Sequence, residues 1–296
     1  MAVTAFIFPG MKQVKSLHRS RPPHMVGDGF RVAGFIPRDL WPELNPFLLL
    51  DYVAPWQLLP TEHPRGVDVH PHKGFETVTL LWKGALAHAD SSGAAGTLHP
   101  GDVQWMTAGS GILHKEFHEK TFSRQGGILH SAQLWINLPA AHKNTPPAYQ
   151  DIAAEQMPAI ELADGRARIR VIAGSMNGVT GPARTFTRIL LLDAQAAAGA
   201  AFSFSVTEGD ATALVVLEGT VLVNGEQLAR AGELLLFEPA GSTIHVETNN
   251  ASHLLLLSGE PLNEPIAAQG PFVMNTREEI AAAVHDYQAG VFGTLA

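Results

Sequence analysis

Short apolar runs broken by glycine constrain this chain more than any other feature. Thr77 to Trp82, Val103 to Thr107, Gln133 to Leu138, Thr187 to Leu192, Ala213 to Leu217 and Glu233 to Phe237 each hold five or six residues rich in Val, Leu, Ile, Phe, Trp and Thr. That length is too short for an ordinary helix and suits a strand. Helix-period patterns are rare elsewhere, and the 28 glycines and 20 prolines supply turns rather than helix interiors. The segments Pro100-Gly101-Asp102 and Val223-Asn224-Gly225-Glu226 are examples, the second carrying the Asn-Gly pair that suits a tight hairpin. The expected class is all-β, of barrel or sandwich texture.

A length of 296 residues exceeds the usual single core and predicts two domains. A weak internal repeat supports this. Trp82-Lys83-Gly84, Pro100-Gly101-Asp102 and His114 recur as Leu217-Glu218-Gly219, Ala231-Gly232-Glu233 and His245, and both glycine-to-histidine separations are 13 positions. Two copies of one β-barrel explain the match. Pro139, Pro146 and Pro147 interrupt any regular element, so the expected domains are residues 1–143 and 144–296. One helix is expected near the C-terminus. Thr276 to Glu279 reads as a capping box, Ile280, Ala283, Val284 and Tyr287 form one face, and Gly290 is a stop. Its apolar face is expected to clamp one of the barrels.

Composition narrows the chemistry. A net charge of −8 argues against a broad phosphate-binding face, so direct nucleic-acid binding is not expected. With no cysteine, disulfides, thiolate sites and cysteine nucleophiles are excluded, which leaves histidine and carboxylates as metal ligands. The apolar run at the start is too short for a signal peptide and no stretch approaches a membrane span, so the expected location is cytoplasmic.

Nine of the 14 histidines fall between His63 and His142. His70 and His72 flank Pro71, which favours extended backbone, and the i, i+2 spacing puts both imidazoles on one face. His114 and Glu116 repeat that spacing, and two such pairs on neighbouring strands would converge inside a barrel. Three neutral imidazoles and a carboxylate favour Fe(II), Mn, Co, Ni, Cu or Zn over Mg or Ca. By spacing alone Glu116 or Glu76 could be the fourth ligand. His88, His99, His118 and His130 read as surface or hydrogen-bonded histidines, although His118 shares strand parity with His114 and Glu116. His245 lacks a companion histidine pair, which predicts a structural, metal-free second copy.

The run from His70 to Thr79, the run from Pro100 to Glu116, and Gly270 to Ile280 together resemble the signature of the pirin family. The resemblance covers nearly the whole chain. It implies two cupin-type barrels (a bicupin) and one metal ion, usually iron, held by His70, His72, His114 and Glu116 rather than Glu76. It also implies two functions: a quercetinase-type dioxygenase that opens flavonols with dioxygen and releases carbon monoxide, or a regulator whose iron acts as a switch in binding a protein partner. In the first, Glu116 would be ligand and general base together. Two departures from the family stand out. Lys115 replaces a small residue and should point away from the ligands, and Ala94-Ala95 replace polar residues in a loop that could border the pocket entrance.

Overall fold

The structure, a computed structural model, describes residues 10–295 and is built almost wholly of antiparallel strands. It divides into two compact units. The histidine-rich unit comprises Pro22–Gly34, Phe47–Ala154 and the segment from Leu262 onward; the second comprises the N-terminal segment through Arg21, Phe35–Pro46 and Glu155–Pro261.

Each unit pairs a seven-stranded sheet with a four-stranded one. In the histidine-rich unit the large sheet runs in the order Ala148–Ile152, Val103–Thr107, Phe75–Lys83, Gly127–Asn137, Phe47–Leu58, Phe30–Gly34, His24–Val26. The small sheet runs Gly66–His72, Ile112–His118, Leu86–Asp90, Ala95–Leu98. Side chains from both sheets meet in one core, with Phe30, Val53, Leu81 and Leu129 from the first and Leu86 and Leu98 from the second. Central strands such as Val103–Thr107 are buried along their whole length, which is why they lack a polar-outward alternation. Ile112–His118 instead alternates buried and half-buried positions, with the even-numbered residues inward.

The second unit repeats this plan. Its large sheet runs Val14–Arg19, Glu233–Phe237, Ala211–Glu218, Ser252–Gly259, Ile189–Ala196, Ala167–Ala173, Ala159–Leu162, and its small sheet Ala201–Ser205, Thr243–Thr248, Thr220–Val223, Gln227–Arg230. The expected hairpin is present: Asn224 and Gly225 have φ of 55° and 70°, and the Glu226 N–H closes the turn on the Val223 carbonyl at 3.1 Å. The interior is apolar, filled by Phe204, Val223, Ile244, Val246, Leu214 and Leu256 among others.

The contiguous 1–143 and 144–296 split differs from these units, for a reason written in the strand pairing. Ala148–Ile152 pairs along Val103–Thr107, which carries the histidine-rich unit past the proline-rich stretch to Ala154. At the matching edge of the second unit, Val14–Arg19 pairs with Glu233–Phe237. The C-terminal helix, Arg277–Gln288, has its capping box formed by Thr276 and Glu279 and belongs to the histidine-rich unit. Ile280 and Ala283 pack there with Phe272, Met274, Phe292 and Leu113.

Candidate metal centre

Gly66–His72 and Ile112–His118 pair antiparallel with His114 opposite His70 and Ile112 opposite His72. Three imidazoles therefore converge from two adjacent strands. Ring centroids lie 4.8 Å apart for His70 and His72, 4.2 Å for His70 and His114, and 4.7 Å for His72 and His114. One nitrogen from each falls within 4.8 Å of the others. His72 and His114 are 3% and 1% exposed, and no ring nitrogen of either has a hydrogen-bond partner among the described residues. Burial lowers the pKa of both well below the ordinary imidazole value, and neighbouring histidines add to it. For His72 the nearby Pro271 carbonyl, which falls outside ordinary hydrogen-bond geometry, opposes the shift without reversing it. At neutral pH these rings are unprotonated and offer lone pairs. The His70 Nδ1–H donates to the Asp68 carbonyl at 2.7 Å, which leaves its Nε2 free as an acceptor.

Glu116 sits two residues beyond His114 on the same inward face. A bulge intervenes, since the partner on the neighbouring strand jumps from His70 to Val67. The carboxylate accepts from Gln133 Nε2 at 2.9 Å and from Thr79 Oγ1 at 3.4 Å, and Gln133 is itself held by Trp135 Nε1 at 3.2 Å. In this position Glu116 does not join the 4.8 Å cluster of the three histidines. Glu76 lies on the opposite face of its strand from Thr79, and Thr107 Oγ1 donates to it at 2.7 Å. Burial raises the Glu76 carboxyl to about 7. The parity argument linking it to His72 fails because Lys73 and Gly74 separate two strands that enter different sheets.

His118 and His130 are hydrogen-bonded, as expected, to the Gly29 carbonyl at 2.8 Å and the Tyr52 hydroxyl at 3.0 Å, and both are buried. One histidine departs from the expectation. His88 is also buried, directly across from Glu116, and its two ring nitrogens have no partner among the described residues. It stacks on Tyr149 at 5.3 Å, and a Cβ at Gly96 would fall 2.5 Å from its Nε2. The alternation Leu86, His88, Asp90 was the available signal for its inward aim. His245 occupies the strand position of His114, but in Thr243–Thr248 Ile244 and Val246 are the buried residues, and His245 contacts Ser203 Oγ at 3.1 Å. It points away from the core.

A cavity opens on Glu116, with an enclosed volume of about 50 Å³. Val26, Phe30, Val32, Val53, Val67 and Leu86 form its apolar side, and Asp51, Thr79, Ser131 and Gln133 its polar side. Ala94 and Ala95 are not on its wall. The loop after His72 is braced from several directions. Lys73 pairs backbone N–H and carbonyl with Pro271 and Val273 at 3.3 and 3.0 Å, and Lys143 Nζ donates to Gly74 O, Val273 O and Asn137 Oδ1 at 2.9, 2.9 and 2.7 Å. Gly74 has a φ of 86°, and a Cβ there would lie 1.9 Å from the Val273 carbonyl oxygen.

A profile of the family described as Pirin matches residues 29–136, and one described as Pirin C-terminal cupin domain matches residues 191–293. The chain belongs to the pirin family. A Pseudomonas aeruginosa relative, provisionally named a quercetin 2,3-dioxygenase, is 44% identical over 95% of this chain and 99% of its own. Human pirin is 38% identical over 88% of each chain. A crystal structure of quercetin 2,3-dioxygenase from Acinetobacter baumannii has a TM-score of 0.95 at 43% identity, covering 97% of this chain and 100% of its own. The two cupin domains of a pirin are thus both present. Of the departures from other pirins, Lys115 holds an outward position of its strand, away from the three histidines. Among the described residues of this pirin, no helix is long and apolar enough to cross a membrane.

Proposed function

We propose that this pirin is a metal-dependent dioxygenase of quercetinase type, acting on flavonols with dioxygen. The observation that carries the reading is the set of buried imidazole nitrogens left without hydrogen-bond partners at the convergence of two strands. Buried imidazole nitrogens left unsatisfied are costly in a purely structural core, and a divalent transition ion would take one nitrogen from each ring. His70, His72, His114 and Glu116 would hold it, as Fe(II) by the family resemblance, with Mn, Co, Ni, Cu or Zn compatible with the same donors. When bound, such an ion supplies Lewis acidity and redox access for combining an electron-rich ring with dioxygen.

The chain's own residues supply the rest. Glu116 takes the proton of the central-ring hydroxyl, and Gln133 and Thr79 hold its carboxylate in place for that transfer. The apolar side of the cavity receives the aromatic rings and displaces water from them. Burial keeps His72 and His114 unprotonated, so they remain donors at neutral pH.

Aerobic incubation of metal-loaded protein with quercetin tests the reading. Quercetin and dioxygen should disappear together with release of carbon monoxide, and chelation should stop it until a divalent metal is restored. Flavones lacking the central-ring hydroxyl should be inert. Equal quercetin loss in apo-protein, or loss without carbon monoxide, refutes the enzyme and favours the reading of an iron-dependent regulator that binds a protein partner.

A further inference from the structure

Thr79, Gln133 and Asp51 are direct cross-strand partners on three adjacent strands, so their side chains stand in one row on one face of the large sheet. The first two are committed to Glu116. Asp51 is the next position in the row, about one strand spacing (~5 Å) beyond Gln133, and it faces the same cavity. On its other side its strand partner is Gly34, where a Cβ would come within 3.3 Å of the Asp51 carboxylate. Glycine there leaves the carboxylate uncrowded. Burial raises the Asp51 carboxyl above the ordinary value, and His24 draws it partly back. The cavity thus presents a proton acceptor, a second carboxylate one step away, and apolar walls between them and the mouth.

We propose that Asp51 is a specificity-determining residue, which accepts a hydrogen bond from a hydroxyl on the pendant phenyl ring of a flavonol whose central hydroxyl faces Glu116. This rests on the flavonol reading above. A partly desolvated carboxylate in this cavity is poorly solvated once an apolar ring lies over it, so a ligand lacking the matching hydroxyl leaves it unpaired. The cavity then selects flavonols hydroxylated on the phenyl ring over those that are not. The hydroxyl keeps its proton, so no covalent change is required at Asp51.

The test compares quercetin, with two hydroxyls on the pendant phenyl ring, against galangin, whose phenyl ring carries none, in wild-type, Asp51→Ala and Asp51→Asn proteins loaded with metal. Binding is read anaerobically by quenching of tryptophan fluorescence, and turnover aerobically as separate kcat and KM. Wild-type should bind quercetin about tenfold or more tightly than galangin. Asp51→Ala should bring that ratio close to one through KM, and Asp51→Asn, which keeps an acceptor, should fall between. A ratio unaltered in both variants overturns the inference, as does failure of wild-type to bind either flavonol. If the binding preference is present and lost in Asp51→Ala while no variant turns over substrate, the Asp51 inference stands and the dioxygenase reading falls. Should Asp51→Ala not fold, the Asp51→Asn ratio decides alone.

Discussion

Replacing Lys143 by methionine should loosen the loop that carries His72, by an amount that the structure fixes within limits. Lys143 is 1% exposed, and its ammonium donates to Gly74 O, Val273 O and Asn137 Oδ1. Methionine keeps the apolar stem and abandons three acceptors, at roughly 1–3 kcal/mol each. Against this stands relief from burying the charge. Burial lowers the Lys143 pKa from 10.5 to about 8, which corresponds to about 3 kcal/mol. The net expectation is a loss of about 2–4 kcal/mol at pH 7, in line with breaking a buried polar network. The pH dependence carries a sign that the loss of packing alone would not. Because the folded pKa lies below the unfolded one, the unfolded chain holds the extra proton between pH 8 and 10.5, so this lysine contributes stability that grows across that window and is absent below it. Urea unfolding at pH 7 and pH 9.5 reads both effects. The gap between wild-type and Lys143→Met should widen at pH 9.5 by about 2 kcal/mol. Equal midpoints at pH 7, or a gap that stays constant with pH, would refute the reasoning.

Other outcomes follow from the same geometry. His70→Ala combined with His72→Ala should reduce bound metal from about one equivalent to none by metal analysis, whereas His245→Ala, at an outward position beside Ser203, should leave it unchanged. Glu116→Gln should weaken metal retention and suppress flavonol turnover far more than Glu76→Gln, because Glu76 lies on the other sheet face and Glu116 lines the cavity; the reverse order would move the ligand role to Glu76. Gly111→Ala should lower the unfolding free energy by about 2 kcal/mol or more in urea titration, since φ is 122° and the new Cβ would lie 2.2 Å from the Phe292 ring, and metal retention should fall with it because His114 follows on the same strand.

Much of the fold was legible because its information is local. The six apolar runs all lie within or overlap observed strands, Val103–Thr107 and Glu233–Phe237 with the same bounds, since central strands need continuous apolar residues. The helix at Arg277–Gln288 was legible from its cap and its face. The convergence of His70, His72 and His114 followed from strand parity, which is a local rule. What failed was parity carried across a break. Glu76 is four residues from His72, but a left-handed glycine at Gly74 passes the chain to another sheet, and the count restarts. His245 shows the same limit: the 13-residue spacing repeats, while the inward face falls on Ile244 and Val246. The partners of Glu116 were invisible for a different reason. Gln133 and Thr79 are 17 and 37 residues away in sequence, and only the pairing of strands brings their side chains to the carboxylate.

The return of the last segment to the histidine-rich unit has a consequence for synthesis. His70, His72 and His114 are made early, but Phe272, the helix at Arg277–Gln288 and Phe292, which pack behind the ligand strands, leave the ribosome only after the whole second unit. Conversely, Val14–Arg19 is made first and must wait for its partner Glu233–Phe237. Domains of a growing chain generally fold in order from the N-terminus, and here neither unit can close in that order. Under the metal-site proposal, capture of the ion would therefore be a late event, following synthesis of the segment from Leu262 onward. A product of stalled translation, or one clipped between Pro261 and the helix, would carry all four candidate ligands and still lack the backing that holds their loop in register, so it should reach the cell empty.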